Sequence, residues 1–228
     1  KIFGLAPQIP SDGSFSPSPL ALKLATSPTT DFDGGHYETQ YKGDSKVLMI
    51  CTEEKNMTMA NGKMFSTGNH PVEMGLPMLH LINAGFEIDI VTLSGKPAVI
   101  EQWAMPHKDQ DIKKLYEDYE EKFDKPISLN ELINNDSDNL EQYIAVFLPG
   151  GHGAMLGLPE SQELGKLLRW AHHNERYTLA ICHGPAALLA ADQGSKEDAY
   201  IYQGYKIASF PDSVDRQTPM IGYRPGHM

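Results

Sequence analysis

The chain has 228 residues, 40% of them hydrophobic and 21% charged, with a formal net charge of −11. This ordinary globular usage excludes a wholly disordered protein and suits one well-buried α/β core with insertions, while the acidic balance argues against stable nucleic-acid binding, which needs Lys and Arg on phosphates. The two cysteines, Cys51 and Cys182, stand in no Cys-x-x-Cys pair; they exclude a disulfide framework and point to a reducing, cytoplasmic compartment.

Residues 1–43 are rich in Pro, Ser, Thr and Gly and read as an N-terminal arm laid over the rest of the chain. Pro, Ser, Asp and Gly interrupt residues 9–18, so no signal-peptide core is expected; the chain begins at Lys1 rather than Met, which leaves room for residues upstream. No run approaches the roughly 18 apolar residues of a membrane span.

The core is expected in two parts, residues 44–99 and 143–228, around a cap insertion at 100–142. Val47-Leu48-Met49-Ile50-Cys51 is a strand buried on both faces. Asn69-His70-Pro71 opens a helix with Pro in its first turn, carried by Val72, Leu76 and Leu79 and ended by Gly85. Residues 86–93 form a second strand. In residues 108–125 the dense charge is backed by Ile112, Leu115, Tyr116, Tyr119 and Phe123 on one helical stripe, which predicts an amphipathic cap helix. A third strand spans 143–148, and Leu164, Leu167, Leu168 and Ala171 mark another helix. A fourth strand is expected at 176–182, a small-residue helix at 184–191 and a fifth strand at 205–210. Strands alternating with helices imply a mostly parallel, doubly wound sheet covered on both faces.

The strongest chemical signal is Thr178-Leu179-Ala180-Ile181-Cys182-His183-Gly184-Pro185, an apolar strand that stops at Cys-His and turns into a helix. A sharp strand-to-helix turn projects a nucleophile at the carboxyl end of the sheet, so Cys182 is the candidate nucleophile and His183 its base or imidazolium partner. The ring then needs a carboxylate to orient it; Asp212, in Phe210-Pro211-Asp212, is the first choice and Asp215 the second. Pro149-Gly150-Gly151-His152-Gly153 follows a buried strand, and one of its glycine amides could complete an oxyanion hole with the amide of His183. Glu73, in a helix first turn, could share a proton with a thiolate. The nine histidines offer no zincin spacing.

Asn61-Gly62-Lys63-Met64-Phe65-Ser66-Thr67-Gly68-Asn69-His70-Pro71-Val72-Glu73, Trp103-Ala104-Met105-Pro106-His107, the Gly150–Gly153 loop and Cys182-His183-Gly184-Pro185-Ala186 together resemble the HchA-type members of the ThiJ/PfpI superfamily, from about residue 31 onward. The resemblance implies a flavodoxin-like core with a smaller cap, a homodimer, and Cys182, His183 and Asp212 as nucleophile, base and orienting acid. It further implies that Glu73 hydrogen-bonds the cysteine and that Gly151 and His183 supply oxyanion-hole amides. Its activities are cofactor-free glyoxalase III chemistry on methylglyoxal, deglycation of glycated amines in proteins and nucleotides, and holdase chaperoning of unfolded clients; a cysteine peptidase or amidase would use the same triad. The positions matching the family's zinc ligands hold Ile82, Glu87 and Tyr119, so no zinc is expected there. The family continues beyond the place where this chain stops, so a processed or partial polypeptide with one side of its sheet uncovered is expected.

Overall fold

A computed structural model describes residues 6–9, 12–59, 61–135, 137–195 and 199–216. Its centre follows from the apolar runs. Strand β1 (Lys46–Ile50) is buried along four of its five residues, and such a strand needs partners on both edges and cover on both faces. The arm before it carries helix α1 (Pro19–Ala25), capped by the Ser18 hydroxyl, which accepts from the amide of Ala21. After β1 come a short antiparallel ribbon, β2 (Asn56–Thr58) with β3 (Met64–Ser66), then helix α2 (Pro71–Asn83) and strand β4 (Glu87–Thr92). Helices α3 (Gln110–Asp118) and α4 (Glu120–Asp124), strand β5 (Ile127–Ser128) and helix α5 (Leu129–Asn135) follow. The chain returns through β6 (Tyr143–Leu148), α6 (Gln162–His173), β7 (Tyr177–Ala180), a 3-10 helix at Gly184–Asp192, and α7 (Asp212–Arg216).

The five-stranded sheet runs β5-β4-β1-β6-β7 with every neighbouring pair parallel, so the α/β class and the mostly parallel sheet are as read from the sequence. Alternation along β1 divides the core. Leu48 and Ile50 join Val91, Val146 and Leu148 on one face, beneath Leu164, Leu167, Leu168 and Ala171 of α6 and Ala187 and Ala190 of the 3-10 helix. Val47, Met49 and Cys51 join Ile88, Ile90 and Phe147 on the other, beneath Met74 and Met78 of α2, Leu115 of α3 and Phe123 of α4. Each such side chain contributes about 1.5–3 kcal/mol by leaving water, which is why the strand pattern was so legible.

Three expectations change. The single cap helix is two, broken at Tyr119, whose backbone (φ −104°, ψ 5°) leaves the helical region. The helix after Cys182 winds as 3-10. Residues 205–210 form no strand: they are mostly exposed, have no ladder partner among the described residues, and touch the sheet end through one backbone bond, Phe210 N–H to the Cys182 carbonyl at 2.8 Å. Alternating apolar residues suggest a strand, but a strand exists only where a neighbour takes its hydrogen bonds. The sheet's fifth strand is instead β5, in the stretch read as cap insertion.

The arm is tied by backbone pairing, ring contacts and polar side chains: Phe15 N–H donates to the Met64 carbonyl and Ser66 N–H to the Phe15 carbonyl, both at 2.7 Å, and Tyr41 stacks on Phe86. Thr30 donates from its amide (2.8 Å) and hydroxyl (2.6 Å) to Asp109, the Gly34 carbonyl accepts from Asn83, and Tyr37 Oη meets His80 Nδ1 at 2.8 Å. Among the described residues no helix is long and apolar enough to cross a membrane.

Candidate active site

Strands β6 and β7 are neighbours and parallel, so their carboxyl ends place two loops side by side, the usual position for a site in a doubly wound sheet. The first loop is Pro149-Gly150-Gly151-His152; the second is the turn at Cys182-His183. Cys182 has φ +58°, a left-handed conformation unfavourable by about 1–2 kcal/mol for a residue with a Cβ. The turn is held by Gly184 N–H to the Ile181 carbonyl (2.8 Å) and by the Phe210 bond to Cys182 itself. It aims the thiol into a cleft of ≈ 300 Å³ bounded by Phe65, Trp103, Phe210, Val214, and Ala25 and Thr26 of the arm.

Cys182 Sγ lies 3.2 Å from His183 Nδ1. Behind the ring, His183 Nε2 lies 2.9 Å from an oxygen of Asp215. The carboxylate at His183 is therefore Asp215 and not the first-choice Asp212. Asp212 opens α7 and is exposed, where its charge suits the helix amino terminus; Asp215, most of a turn later, is the residue carried over the imidazole. Burial alone would raise the Asp215 carboxyl, but the hydrogen bonds and charges of His152 and His183 outweigh it and hold it well below the usual carboxylate range.

Glu73 approaches from the first turn of α2, which is fastened to the glycine loop by His70 N–H to the Gly150 carbonyl (2.9 Å). A Cβ on Gly150 would collide with the Glu73 carboxylate and come within 2.7 Å of the Cys182 Cβ, so only glycine lets the acid and the thiol meet across this loop. Gly151 has φ +103°, which turns its amide toward the sulphur. Burial first, then the Glu73 charge and hydrogen bond, push the Cys182 thiol up, while the amides of Gly151 and His183 pull it down. Burial and Glu73 thus favour the protonated thiol, while two N–H donors are already aimed at the atom that will change charge.

Two residues in this network carried no functional assignment in the sequence reading. His152 Nε2 lies 3.1 Å from the other Asp215 oxygen and its Nδ1 lies 3.7 Å from Glu101, which also accepts from the His152 amide at 3.2 Å. Burial works against a charge on His152, but hydrogen bonds and charges from Asp215 and Glu101 more than offset it, and its pKa is pushed up to about 9. His152 was in view within the glycine loop, but its ring partners are remote in sequence; Glu101 is a single acidic residue with no pattern around it.

The family's zinc position does not fit zinc here. Ile82 offers no donor, Glu87 faces the Lys46 ammonium at 3.8 Å, and Tyr119 lies under the Lys122 ammonium, 5.3 Å from its ring centre; a second cation beside these would be repelled. His152, His183 and Asp215 alone among the described residues bring three ligand-type atoms within 4.8 Å of one another. Their facing atoms are already engaged in the His–carboxylate–His hydrogen bonds.

A model of the DJ-1/PfpI family matches residues 64–209. The protein/nucleic acid deglycase HchA of Escherichia coli O139:H28 (strain E24377A / ETEC) is 45% identical over 223 residues, covering 96% of this chain and 76% of that protein. A solved structure 23% identical in sequence superposes with a TM-score of 0.63 over 80% of this chain and 77% of its own. The Rapid Encystment Protein 24 KDa of Francisella tularensis, 25% identical, gives a TM-score of 0.54 over 63% of this chain and 61% of that one.

Proposed function

The chain belongs to the DJ-1/PfpI family, and from that membership we propose that it is a cysteine-dependent enzyme of reactive carbonyls: a glyoxalase III that turns methylglyoxal into lactate and a deglycase that removes the same aldehyde from amines. The observation that carries the reading is the Cys182 elbow, with His183 Nδ1 at 3.2 Å and the amides of Gly151 and His183 facing the sulphur. In this mechanism His183 takes the thiol proton as Sγ adds to the aldehyde carbon, and the oxyanion that forms meets the two amides. The hemithioacetal C–H proton is moved to the neighbouring carbonyl carbon by Glu73 or His183, which leaves a lactyl thioester. Water hydrolyses the thioester, returning the thiol, so that methylglyoxal plus water gives lactate with no outside oxidant. On a glycated amine, the same attack at the carbinol carbon expels the amine.

Asp215 acts as the positioning carboxylate in this scheme. The cleft, narrowed by Trp103 and the arm, favours a small aldehyde over a peptide strand, and a cysteine so elaborately partnered argues against a holdase in which it is incidental. The activity for which the Escherichia coli relative is named, deglycation of protein and nucleic acid, supports the same substrate class. A homodimer working in the cytoplasm completes the proposal; light scattering of the purified chain and cell fractionation test those two parts. Replacing Cys182 by Ala and measuring lactate from methylglyoxal tests the chemistry, and undiminished turnover would overturn it.

A further inference from the structure

Asp215 serves two imidazoles. One oxygen meets His183 at 2.9 Å and the other meets His152 at 3.1 Å, while Glu101 stands behind His152. The two rings also lie against each other, centroids 4.3 Å apart, with Phe210 on the far side of His183 at 4.7 Å. Both imidazoles and Glu101 are buried, with Glu101 1% exposed, His183 6% and His152 9%, and Asp215 is half-buried beside them. A charge on His152 is thus felt at His183 with little water between them.

We propose that His152 is a positioning residue that acts through Asp215, claiming one carboxylate oxygen and part of its charge and so limiting how strongly Asp215 draws a proton from Cys182 onto His183. The inference rests on Cys182–His183 as the reacting pair, though not on the identity of the substrate. The geometry sets the sign. With one His152 nitrogen 3.1 Å from Asp215 and the other 3.7 Å from Glu101, the two carboxylates favour the protonated ring. His183 donates from Nε2 to Asp215 and keeps Nδ1 as the acceptor that faces the thiol. The positive His152 partly cancels the carboxylate that would stabilise a His183 imidazolium. Removing the His152 charge while keeping its donor makes His183 the stronger base, and the Cys182 proton moves to it more readily. The other ionisable groups facing the pair, Glu73 and His70 on the α2 side and Glu101 before Trp103, stay in place and keep their contribution.

The test is the pH profile of Cys182 alkylation by iodoacetamide, read on the Cys182 peptide by mass spectrometry; Cys51 is fully buried. His152→Gln retains an N–H for Asp215 without the charge. The expected result is alkylation about tenfold faster near neutral pH, equivalent to a one-unit change in the thiol–imidazole equilibrium. Glu101→Gln, which weakens the hold on the His152 proton, should shift it in the same direction by less. If His152→Gln alone does not fold, the double variant Glu101→Gln/His152→Gln, which buries no unpaired charge at this pair, carries the measurement. A rate in the folded variant that stays below roughly threefold that of the natural chain, or falls, overturns the proposal, since a purely packing role predicts no gain in reactivity. Alkylation needs no substrate, so failure of the natural chain to form lactate would overturn the glyoxalase reading and leave this result standing.

Discussion

Asparagine at position 215 should inactivate the enzyme out of proportion to the one atom changed. The Asp215 oxygens are 3.1 Å from His152 Nε2 and 2.9 Å from His183 Nε2. An asparagine has one oxygen and one NH2. Glu101 still favours a proton on His152, so the oxygen faces His152, and the NH2 then donates to His183 Nε2. That fixes the wrong tautomer, with the proton on Nδ1 pointing at Cys182, where no lone pair remains to accept from the thiol. Losing one charge-assisted bond alone is worth about 1.5–3 kcal/mol, or about 10- to 10²-fold; reversing the tautomer brings the expected loss in kcat for lactate formation to roughly 10³- to 10⁴-fold, by analogy with the Ser-His-Asp triad. Steady-state lactate production from methylglyoxal by Asp215→Asn and Asp212→Asn measures it, with circular dichroism to establish folding. Asp212→Asn should remain within about twofold of the natural chain. A larger loss in Asp212→Asn than in Asp215→Asn would refute the assignment and the tautomer argument together.

Other perturbations read other parts of the site. Gly150→Ala should lower turnover by at least about 100-fold and lower the melting temperature, because its methyl group must displace the Glu73 carboxylate or the nucleophile. Cys182→Gly should melt about 2 °C above Cys182→Ala, since glycine relieves the left-handed strain at φ +58° at a smaller entropy cost; an equal or lower melting temperature would show that the turn is unstrained. The folded pKa of His152, about 9, lies above its ordinary 6.5, so proton binding there stabilises the fold fully below about pH 6.5 and the contribution is lost as pH rises through 9. Calorimetry across that window should show a steeper fall in melting temperature for the natural chain than for His152→Gln.

The sheet was legible because burial on both faces forces near-continuous apolar runs: residues 47–51 and 143–148 could hardly be anything but central strands. Cys182 was legible because a nucleophile at an elbow leaves a local signature of strand, Cys-His and small residues. What escaped was whatever depends on a partner far along the chain. The 205–210 stretch has the alternation of a strand and no ladder to join, and β5 is only two residues long, too short for any periodicity. Choosing between Asp212 and Asp215 required knowing where α7 starts relative to an imidazole 32 residues away. Glu101 and His152 are 51 apart, and each alone looks like a surface residue. Buried polar networks have no period, so composition and spacing cannot announce them.

The arm has a separate significance. Ala25 and Thr26 line the cleft, yet they belong to the arm, which joins the body on one side through the pairing of Phe15 with Met64 and Ser66 and on the other through the Thr30–Asp109 and Tyr37–His80 hydrogen bonds, while Cys182, His183, Glu73 and Asp215 all lie outside it. Admission and reaction are thereby assigned to different stretches of chain. Substitutions in the arm can widen or narrow the doorway, changing which aldehyde adducts are selected by bulk, and leave the proton traffic among Cys182, His183 and Asp215 as it was.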